Sequence, residues 1–346
     1  MQDVKTYTQE DILKLTRKRS GEEKLGEFVQ TLTKNWKESL RNSSVKFVIF
    51  GIAEDIGVRA NYGRAGANTA FKPALESFLS QQHNQFLNGE TILVLGEVNV
   101  VDVVEKAATL ETKSKEDIFK LRELVSIIDK RVEKVIKEII ACEKIPIVIG
   151  GGHNNSYGCI KGASLALNKK INVLNCDPHL DFRPLEGRHS GNGFSYAYEE
   201  GSINRYSVFG LHEQYNNQQA LDKFKNNPTD LFYNSYESVF VREEQSFSNS
   251  LQQCIGFVKN EVCGLELDLD AITNVPSSAK TSSGISPVQA RQFIHQATSK
   301  LNPIYLHIAE GAPVLSHIKA DNKTGKLIAY LISDFIKARV EFYRDI

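Results

Sequence analysis

The sequence lacks three features, each of which would point to a particular class of protein. It has no long apolar run, and the segment from Met1 to Lys5 is polar and leads into charged residues, not into the apolar core of a secretory signal. Lysine plus arginine and aspartate plus glutamate number 42 each, so no excess of positive charge is available for nucleic acid or an anionic membrane. We therefore expect a soluble, cytoplasmic protein whose partner is a small molecule.

Cysteines are few, and they are not arranged in pairs. The chain has 5 of them, an odd number, scattered between Cys142 and Cys263 with no C-x-x-C motif. This pattern favours core thiols in a reducing compartment over a disulfide framework.

The length of the chain, 346 residues, is enough for one large domain, and we interpret 1–346 as a single α/β domain. No internal repeat, low-complexity tract or linker divides it. Residues 1–43 carry charges throughout, with apolar residues such as Ile12, Phe28 and Trp36 at loosely helical spacing. That spacing predicts an N-terminal helical extension packed on the outside of the domain.

Short apolar runs, separated mostly by segments of helix length, indicate repeated crossovers between strand and helix. One such segment, 114–143, opens with a Ser-x-x-Asp capping pattern and has apolar residues at steps of three and four, which predicts a long amphipathic helix. The pattern as a whole predicts a mostly parallel sheet with helices on both faces. The predicted strands are 45–51, 91–96, 145–149, 171–175, 206–210, 230–233, 262–268 and 303–308.

Three potential metal ligands follow the predicted strand at 171–175. Asp177, His179 and Asp181 stand at alternate positions, and side chains alternate faces in extended backbone, so all three are expected to project to one side. Closely spaced carboxylates resist ionising together unless a cation offsets their charge. The triplet therefore raises the question of which group stabilises the negative charge of its aspartates.

Two further strand ends carry the same kinds of side chain. His153 follows three glycines after the strand at 145–149, and Asp268 and Asp270 end the strand at 262–268. Open parallel sheets bind ligands outside the carboxyl ends of their strands. Alone, an Asp-Leu-Asp sequence is typical of a helix cap or a solvated edge, and a glycine-flanked histidine is typical of a packed side chain. Their coincidence at three strand ends favours a metal site.

The set of four aspartates and two histidines indicates which metal and which chemistry to expect. Oxygen-rich ligands with two imidazoles suit two divalent ions, with Mn²⁺ the best match, whereas a structural zinc site would usually recruit thiolates. Two neighbouring ions can share carboxylates and a bridging hydroxide, which is a nucleophile near neutral pH. This favours metal-assisted hydrolysis.

The same residues resemble the motifs of the ureohydrolase family, which contains arginases, agmatinases and formimidoylglutamases. The similarity runs from about Val45 to Glu310 and includes the glycine-rich segments 57–59 and 63–66. It implies a three-layer α/β/α fold with a mostly parallel sheet of about eight strands, two Mn²⁺ ions in each subunit, and assembly as trimers or hexamers. The resemblance implies one ion held by His153, Asp177, Asp181 and Asp268, and another held by Asp177, His179, Asp268 and Asp270, with Asp177 and Asp268 bridging.

Differences from arginases favour the formimidoylglutamase branch. Arginases and agmatinases generally have Gly-Gly-Asp-His at the first motif, whereas Gly152 precedes His153 here in a Gly-Gly-Gly-His form. The segment 282–287 is similar to the Gly-Val-Ser turn of that branch, and the Asp-Pro pair that follows the last metal motif in arginases is absent. Phe194 stands where arginases have a proton-shuttling histidine.

The residues after the aspartate triplet are candidates for substrate binding. Arg183 stands where arginases have an asparagine that contacts the substrate carboxylate, and a guanidinium there could clamp a carboxylate through two parallel hydrogen bonds. Arg188, His189 and Asn192 follow in the same segment and belong to the predicted substrate-binding set. The alternative for either arginine is a surface residue paired with a nearby glutamate.

Glu310 is the remaining carboxylate at a strand end. Its family counterpart pairs with the cationic guanidine or amidine of the substrate, so the resemblance implies both a substrate-binding and a catalytic role. The alternative is that Glu310 caps a helix or pairs with a later lysine. His307, on the strand before it, is interpreted as a core histidine.

Together these patterns predict hydrolysis of N-formimidoyl-L-glutamate to L-glutamate and formamide, a step of histidine degradation. A metal-bridging hydroxide would attack the amidine carbon, Glu310 would orient the amidinium, and Asp181 would carry a proton to the leaving amine. One alternative is another ureohydrolase that acts on arginine, agmatine or a guanidino acid and produces urea. A second alternative is a metal-binding homologue without turnover.

Overall fold

The computed structural model describes residues 3–32, 35–316 and 322–342, and the strands within them form one nine-stranded sheet. In chain order the strands are β1 (Val4–Thr6), β2 (Phe47–Gly51), β3 (Ile92–Val98), β4 (Ile145–Ile149), β5 (Ile171–Cys176), β6 (Ile203–Leu211), β7 (Leu231–Ser235), β8 (Cys263–Asp268) and β9 (Leu306–Ala309). Their order across the sheet is β1-β3-β2-β4-β9-β8-β5-β6-β7. Only β1 is antiparallel to its neighbour, so the predicted parallel sheet of about eight strands is confirmed.

Apolar side chains cover both faces of the sheet, as a buried parallel sheet requires. Every residue of β2 and of β4 is buried. Successive residues of β2 point to opposite faces: Phe47 and Ile49 belong to one apolar cluster, and Val48 and Phe50 belong to the other. Helices close both clusters from outside, which confirms the three-layer α/β/α architecture.

Helices alternate with the strands along most of the chain. The longest, α7, spans the predicted amphipathic segment, and the Ser114 side chain caps it by accepting a hydrogen bond from the backbone N–H of Asp117 at 3.2 Å. In chain order the helices are α1 (Gln9–Leu15), α2 (Leu25–Phe28), α3 (Trp36–Arg41), α4 (Ile56–Ala60), α5 (Phe71–Leu79), α6 (Val101–Ala107), α7 (Lys115–Ala141), α8 (Asn155–Leu167), α9 (Gly193–Glu199), α10 (Gln218–Asn226), α11 (Phe247–Val258), α12 (Pro287–Leu301) and α13 (Lys323–Phe342).

The N-terminal segment differs from a purely helical extension. Helices α1, α2 and α3 are present, but β1 adds a strand to the edge of the sheet, where Val4 pairs with Val98 and Lys5 with Glu97. The strand has only three residues, which is too short to produce a recognisable alternation in the sequence.

The interior agrees with the composition. All five cysteines are buried and free of disulfide bonds. In the part of the chain that the structure describes, no helix combines the length and the apolar character needed to cross a membrane.

The middle of the sheet brings together the segments of chemical interest. Strands β4, β9, β8 and β5 are adjacent and parallel, so their carboxyl ends share one edge. The predicted metal ligands and Glu310 follow these four ends.

Candidate metal centre

Four of the predicted ligands meet around one imidazole nitrogen. Nδ1 of His153 lies 3.0 Å from Oδ2 of Asp177, 3.1 Å from Oδ2 of Asp181 and 3.2 Å from Oδ2 of Asp268. These four side chains form a group whose potential ligand atoms all lie within 4.8 Å of one another. We call it the His153 group.

A second group lies beside the first and shares Asp268 with it. It consists of His179, Asp268 and Asp270, again with ligand atoms within 4.8 Å of one another. Asp177, whose Oδ2 faces His153, places its other oxygen, Oδ1, 3.4 Å from Nδ1 of His179. We call this the His179 group. The structure therefore brings all six predicted side chains together, although their role as ligands stays a prediction.

The alternation that we used to explain the triplet is wrong. Strand β5 ends at Cys176, and Asp177, His179 and Asp181 lie in the loop beyond it. The backbone there turns instead of extending: Oδ1 of Asp177 accepts a hydrogen bond from the His179 N–H at 2.7 Å, and Oδ1 of Asn216 accepts one from the Leu180 N–H at 2.8 Å. These hydrogen bonds, and not strand periodicity, direct the side chains to one place.

Asp270 also lies outside a strand. It belongs to a single 3₁₀ turn, Leu269–Ala271, and Oδ1 of Asp268 accepts a hydrogen bond from its N–H at 2.6 Å. A turn of this kind folds two carboxylates towards each other even though they do not share a strand face.

A buried glutamate that the sequence analysis did not single out supports the turn that presents His153. Oε1 of Glu54 accepts hydrogen bonds from the Gly152 N–H at 3.3 Å and from the Asn154 and Asn155 side-chain amides at 3.1 and 2.6 Å. Its other oxygen accepts one from the Ile56 N–H at 2.7 Å. Glu54 thus ties the glycine-rich loop to the His153 turn.

Burial and neighbouring charges shift the pKa values in the two groups in different directions. Burial lowers the pKa of His153, but the surrounding carboxylates outweigh it and hold that pKa well above its usual value. Burial raises the pKa of Asp177, but contact with His153 and His179 lowers it overall to about 2. The pKa of Asp268 is well above its usual value because burial and the charges of Asp270 and Asp177 act together. A bound cation would relieve this repulsion among carboxylates.

The spacing of the His153 group fits a divalent ion. Nδ1 of His153 is buried, and none of its three carboxylate contacts has the geometry of a hydrogen bond. Neighbouring ligands of an octahedral ion with bonds of about 2.1 Å are about 3.0 Å apart, and an oxygen-rich donor set suits Mg²⁺ or Mn²⁺. The contacts of 3.0–3.2 Å around Nδ1 match that spacing.

A second buried glutamate, Glu266 on β8, contacts the other side of the His153 ring. Its Oε2 lies 3.4 Å from Nε2 of His153 and 2.7 Å from Nδ1 of His307, and its Oε1 accepts a hydrogen bond from the Tyr305 hydroxyl at 2.8 Å. His307 is fully buried, as expected of a core histidine. Sequence analysis missed Glu266, although it stands two residues before Asp268 on the same strand and therefore on the same face.

A cavity of about 420 Å³ opens above the two groups. His179, Asp181, Asp268, Asp270 and Glu310 form its floor. Loop residues form its wall, which includes Asn61, Arg183, Ser190, Tyr215, Asn217 and Ser278.

Glu310 offers the cavity an oxygen without a partner. Its Oε1 accepts a hydrogen bond from the His153 N–H at 2.8 Å, whereas its Oε2 is buried and makes no hydrogen bond. Burial raises the pKa of Glu310 well above its usual value, and the charges of Asp268 and Asp270 raise it further. A cationic group in the cavity would satisfy both the free oxygen and the excess of negative charge.

Two floor residues hold unusual backbone conformations. The φ angles of Asp181 and Glu310 are 46° and 64°, in the left-handed region. That region costs a residue with a side chain roughly 1–2 kcal/mol. These turns aim both carboxylates at the cavity.

Arg183 is the one predicted substrate-binding residue of the 183–192 segment whose side chain lines the cavity. It is 43% exposed, and it donates a hydrogen bond to Oδ1 of Asn61 at 2.9 Å and contacts Glu186 at 3.2 Å. Asn61 in turn donates to the Ser190 hydroxyl at 3.3 Å. The pairing with a nearby glutamate, considered as an alternative, is therefore present, but it does not remove Arg183 from the cavity.

Arg188 does not line the cavity, and its contact with substrate stays a prediction. Its side chain is only 5% exposed and pairs with Asp129 at 2.9 Å, while its guanidinium lies between the rings of Tyr157 and Tyr196, 4.8 and 4.9 Å from their centroids. It also donates to the backbone carbonyl of Asn154 at 2.9 Å. Arg188 lies behind the site and supports it.

His189 and Asn192 do not line the cavity either, and their contact with substrate stays a prediction. Nδ1 of His189 accepts a hydrogen bond from the Gly191 N–H at 3.1 Å, and burial together with nearby arginines lowers the pKa of this histidine to about 2. Asn192 accepts from the His189 N–H at 3.0 Å and donates to the Gly187 carbonyl at 2.8 Å. Both side chains stabilise the 187–192 turn.

Phe194 contributes packing and makes no polar contact. Its ring is fully buried, meets the His153 ring edge-on with centroids 5.1 Å apart, and stacks on Tyr206 at 4.4 Å. It therefore holds His153 in place and has no group that can carry a proton.

Comparisons with known proteins agree with this geometry. Residues 45–337 match the sequence model of the arginase family. A formimidoylglutamase from Macrococcus caseolyticus is 28% identical over 290 residues, which are 82% of each chain. The crystal structure of a Bacillus subtilis formimidoylglutamase has a TM-score of 0.74 at 15% identity, covering 94% of this chain and 95% of that one. A Trypanosoma cruzi formiminoglutamase solved with Mn²⁺ has a TM-score of 0.69 at 19% identity, covering 92% and 98%.

Proposed function

Because this chain belongs to the arginase family, we propose that it hydrolyses N-formimidoyl-L-glutamate to L-glutamate and formamide. The observation that carries the proposal is the pair of charges across the cavity. The buried, unpartnered Oε2 of Glu310 suits a cationic amidinium, and Arg183 on the wall suits a carboxylate. The similarity to bacterial formimidoylglutamases supports this choice of substrate.

The proposed cofactor is a pair of Mn²⁺ ions. His153, Asp177, Asp181 and Asp268 would hold one, and Asp177, His179, Asp268 and Asp270 would hold the other, since these side chains already converge. When bound, such ions supply Lewis acidity that acidifies water and stabilises developing negative charge. The Mn²⁺ in the Trypanosoma cruzi formiminoglutamase supports the choice of metal.

Glu310 would bind and orient the amidinium group. The hydrogen bond from the His153 N–H fixes one of its oxygens, so the other is held in position for the substrate. A bound amidinium would favour the ionised carboxylate, against the burial that otherwise raises the pKa of Glu310. This would place the amidine carbon above the ligand groups.

Asp181 would move the proton that the reaction requires. Hydrolysis adds water to the amidine carbon and breaks the bond to the glutamate nitrogen, which leaves as an amine after it gains a proton. Asp181 lines the cavity, so its carboxylate could accept a proton from water and pass it to the leaving amine.

Arg183 would bind a carboxylate of the substrate, with Asn61 as its support. Asn61 accepts a hydrogen bond from the guanidinium and donates one to Ser190, so it limits the positions that Arg183 can take. The remaining guanidinium N–H groups can donate to a carboxylate in parallel.

A paired product assay tests the proposal. Metal-stripped protein reloaded with Mn²⁺ should release formamide and glutamate from N-formimidoyl-L-glutamate and should release no urea from arginine, agmatine or 4-guanidinobutyrate. Urea release without formamide would replace the proposal by the guanidine-hydrolysing alternative. Mn²⁺ binding without turnover of any of these compounds would favour the non-catalytic homologue.

Three related expectations belong to the proposal. They are a role in histidine degradation, a cytoplasmic location and assembly as a trimer or hexamer. Light scattering of the purified chain tests the assembly, and growth on histidine after deletion of the gene tests the pathway.

A further inference from the structure

The environment of the His153 ring is asymmetric. Nδ1 faces the three carboxylates of the His153 group, whereas Nε2, on the opposite side of the ring, faces Oε2 of Glu266 at 3.4 Å. All of these side chains except that of Asp181 are nearly or fully buried, so water does not compete for the ring nitrogens. A hydrogen bond between Glu266 and Nε2 would therefore affect the ability of Nδ1 to bind a metal ion.

A histidine that binds a metal through Nδ1 must carry its proton on Nε2. A carboxylate that accepts that proton's hydrogen bond selects this tautomer, orients the ring and makes Nδ1 a stronger donor. Glu266 is the carboxylate on that side of the ring: Nε2 is buried without a hydrogen bond, and Oε2 of Glu266, 3.4 Å away, is an acceptor placed to take one from it. The edge-on contact of Phe194 limits rotation of the ring but offers no acceptor.

Glu266 is itself held in place from behind. The Tyr305 hydroxyl donates to its Oε1 at 2.8 Å, and Nδ1 of His307 lies 2.7 Å from its Oε2. Tyr305 and His307 lie on or next to β9, which pairs with β8 in register, Glu266 beside His307. Two buried donors on a neighbouring strand therefore fix the rotamer of a carboxylate that would otherwise be costly to bury.

We propose that Glu266 is a positioning residue that sets the tautomer and orientation of His153 for metal binding, and that Tyr305 and His307 hold Glu266 for this purpose. The inference rests on the metal site of the proposed function. It assigns Glu266 to the support of the ion bound by the His153 group and not to the ion bound by the His179 group. Glu266 therefore acts on one of two neighbouring ions.

The test is a Mn²⁺ titration of the full-length, metal-stripped protein, with free Mn²⁺ measured by its electron paramagnetic resonance signal. The parent should bind two ions. Glu266→Gln keeps the shape of the side chain and removes its charge, and it should weaken one of the two ions by about 10- to 100-fold while the other keeps its affinity. At two equivalents of Mn²⁺, the spectrum of the variant should change from that of neighbouring ions towards that of an isolated ion.

Glu237→Gln is the matched control. Glu237 is also buried and lies 3.8 Å from a histidine, His212, that belongs to neither ligand group. This variant should bind both ions as tightly as the parent does. Loss of affinity in both variants alike, or equal weakening of both ions in Glu266→Gln, would overturn the proposal because either result indicates general loosening of the core.

Tyr305→Phe decides the matter if Glu266→Gln does not fold. It removes one hydroxyl and should weaken the same ion several-fold, less than the loss of the carboxylate charge. Unchanged affinity would overturn the proposal. So would a third Mn²⁺ in the parent that is lost in Glu266→Gln, since His153, Glu266 and His307 would then be ligands themselves.

The titration separates the two proposals. If the parent binds no Mn²⁺, the proposed function falls and the role of Glu266 falls with it. If the parent binds two ions and Glu266→Gln binds them equally well, only the role of Glu266 is overturned. If the parent binds two ions and releases no formamide, the role of Glu266 can still be confirmed while the proposed reaction is wrong.

Discussion

The floor and the wall of the cavity are built in different ways. The floor consists of side chains at or after the ends of β5, β8 and β9, in the centre of the sheet. The wall consists of loop residues around Asn61, Arg183 and Tyr215. Every ligand predicted for the floor converges with the others, whereas three of the four residues predicted from the 183–192 segment face away from the cavity.

Two arginines show why the regions differ. Arg183 and Arg188 are five positions apart in one loop, and each has a carboxylate partner. The first is half-exposed on the cavity wall, and the second is enclosed by Asp129 and two tyrosine rings. The floor residues lie close to the end of a strand, which limits where their side chains can go, whereas the 183–192 segment lies further along its loop, so residue type alone predicts position better for the floor than for the wall.

The largest expected effect is on the floor. Asp268 belongs to both ligand groups, so Asp268→Ala should remove a shared ligand and reduce formamide release on the order of a thousandfold, since metal ions contribute several kcal/mol to such reactions. Steady-state assays with measurement of bound Mn²⁺ provide the check. Asp334→Ala, which removes a carboxylate paired with Arg291 on the outer helices, is the control and should be nearly silent. Activity within tenfold of the parent would contradict the assignment of the floor.

The next largest effect concerns the stability of the fold and distinguishes Arg188 from Arg183. Arg188→Gln leaves Asp129 buried without its cation, which should lower the free energy of unfolding by about 3–5 kcal/mol. Urea unfolding measures this loss, and KM of the folded fraction should stay near that of the parent. Arg291→Gln breaks a more exposed ion pair with Asp334 and should cost less than about 1 kcal/mol. A raised KM with unchanged stability would return Arg188 to the substrate-binding set.

Arg183→Gln should have the opposite signature. Loss of a charged hydrogen bond to a substrate carboxylate costs about 1.5–3 kcal/mol, so kcat/KM should fall about 10- to 100-fold, mainly through KM. The free energy of unfolding should stay within about 0.5 kcal/mol, because the side chain is half-exposed. Arg242→Gln, at another half-exposed arginine with glutamate partners, is the matched control for charge. An unchanged KM would show that the wall recognises substrate through other residues.

The smallest expected effect is a pH dependence of the free energy of unfolding, which arises from the buried residue His189. Burial, with the charges of Arg122, Arg183 and Arg188, lowers the pKa of His189 to about 2, whereas an unfolded histidine titrates near 6.5. Below about pH 6.5 the unfolded chain therefore binds a proton that the folded chain does not, and this histidine makes the free energy of unfolding fall as the pH falls.

His189→Asn should remove that contribution. Between about pH 6.5 and 5, the parent should lose about 2 kcal/mol more than the variant does in urea unfolding. His295→Asn, at an exposed histidine on α12, is the matched control for the substitution itself. Parallel slopes for the parent and His189→Asn would show that His189 is protonated when folded.

The sequence was sufficient for the sheet and for the identity of the floor. Buried parallel strands have continuous apolar runs, and they end at one edge, so the side chains after β5 and β8 could be predicted to meet. The physical reason given for this convergence, the alternation of side chains along a strand, was nevertheless wrong. Asp181 and Asp270 reach the site through a left-handed turn and a 3₁₀ turn. Such turns depend on hydrogen bonds from distant residues, for example from the Leu180 N–H to Asn216.

Supporting residues were harder to find than ligands. Glu54 acts on the His153 turn from almost a hundred positions away in the chain, and no local pattern marks that contact. Glu266 could have been found, since it alternates with Asp268 along β8. Its donors, Tyr305 and His307, became apparent only when β9 was placed beside β8.

The left-handed backbone at Asp181 and Glu310 has a consequence for how this chain would evolve under selection. Glycine at either position would relieve the backbone strain, and it would also remove a carboxylate from a crowded, buried cluster. Variants selected only for resistance to heat should therefore accumulate glycine at these two positions and lose activity as they do so. The site of the reaction can therefore be recognised without a bound substrate. It is where two residues keep a strained backbone conformation that glycine would relieve.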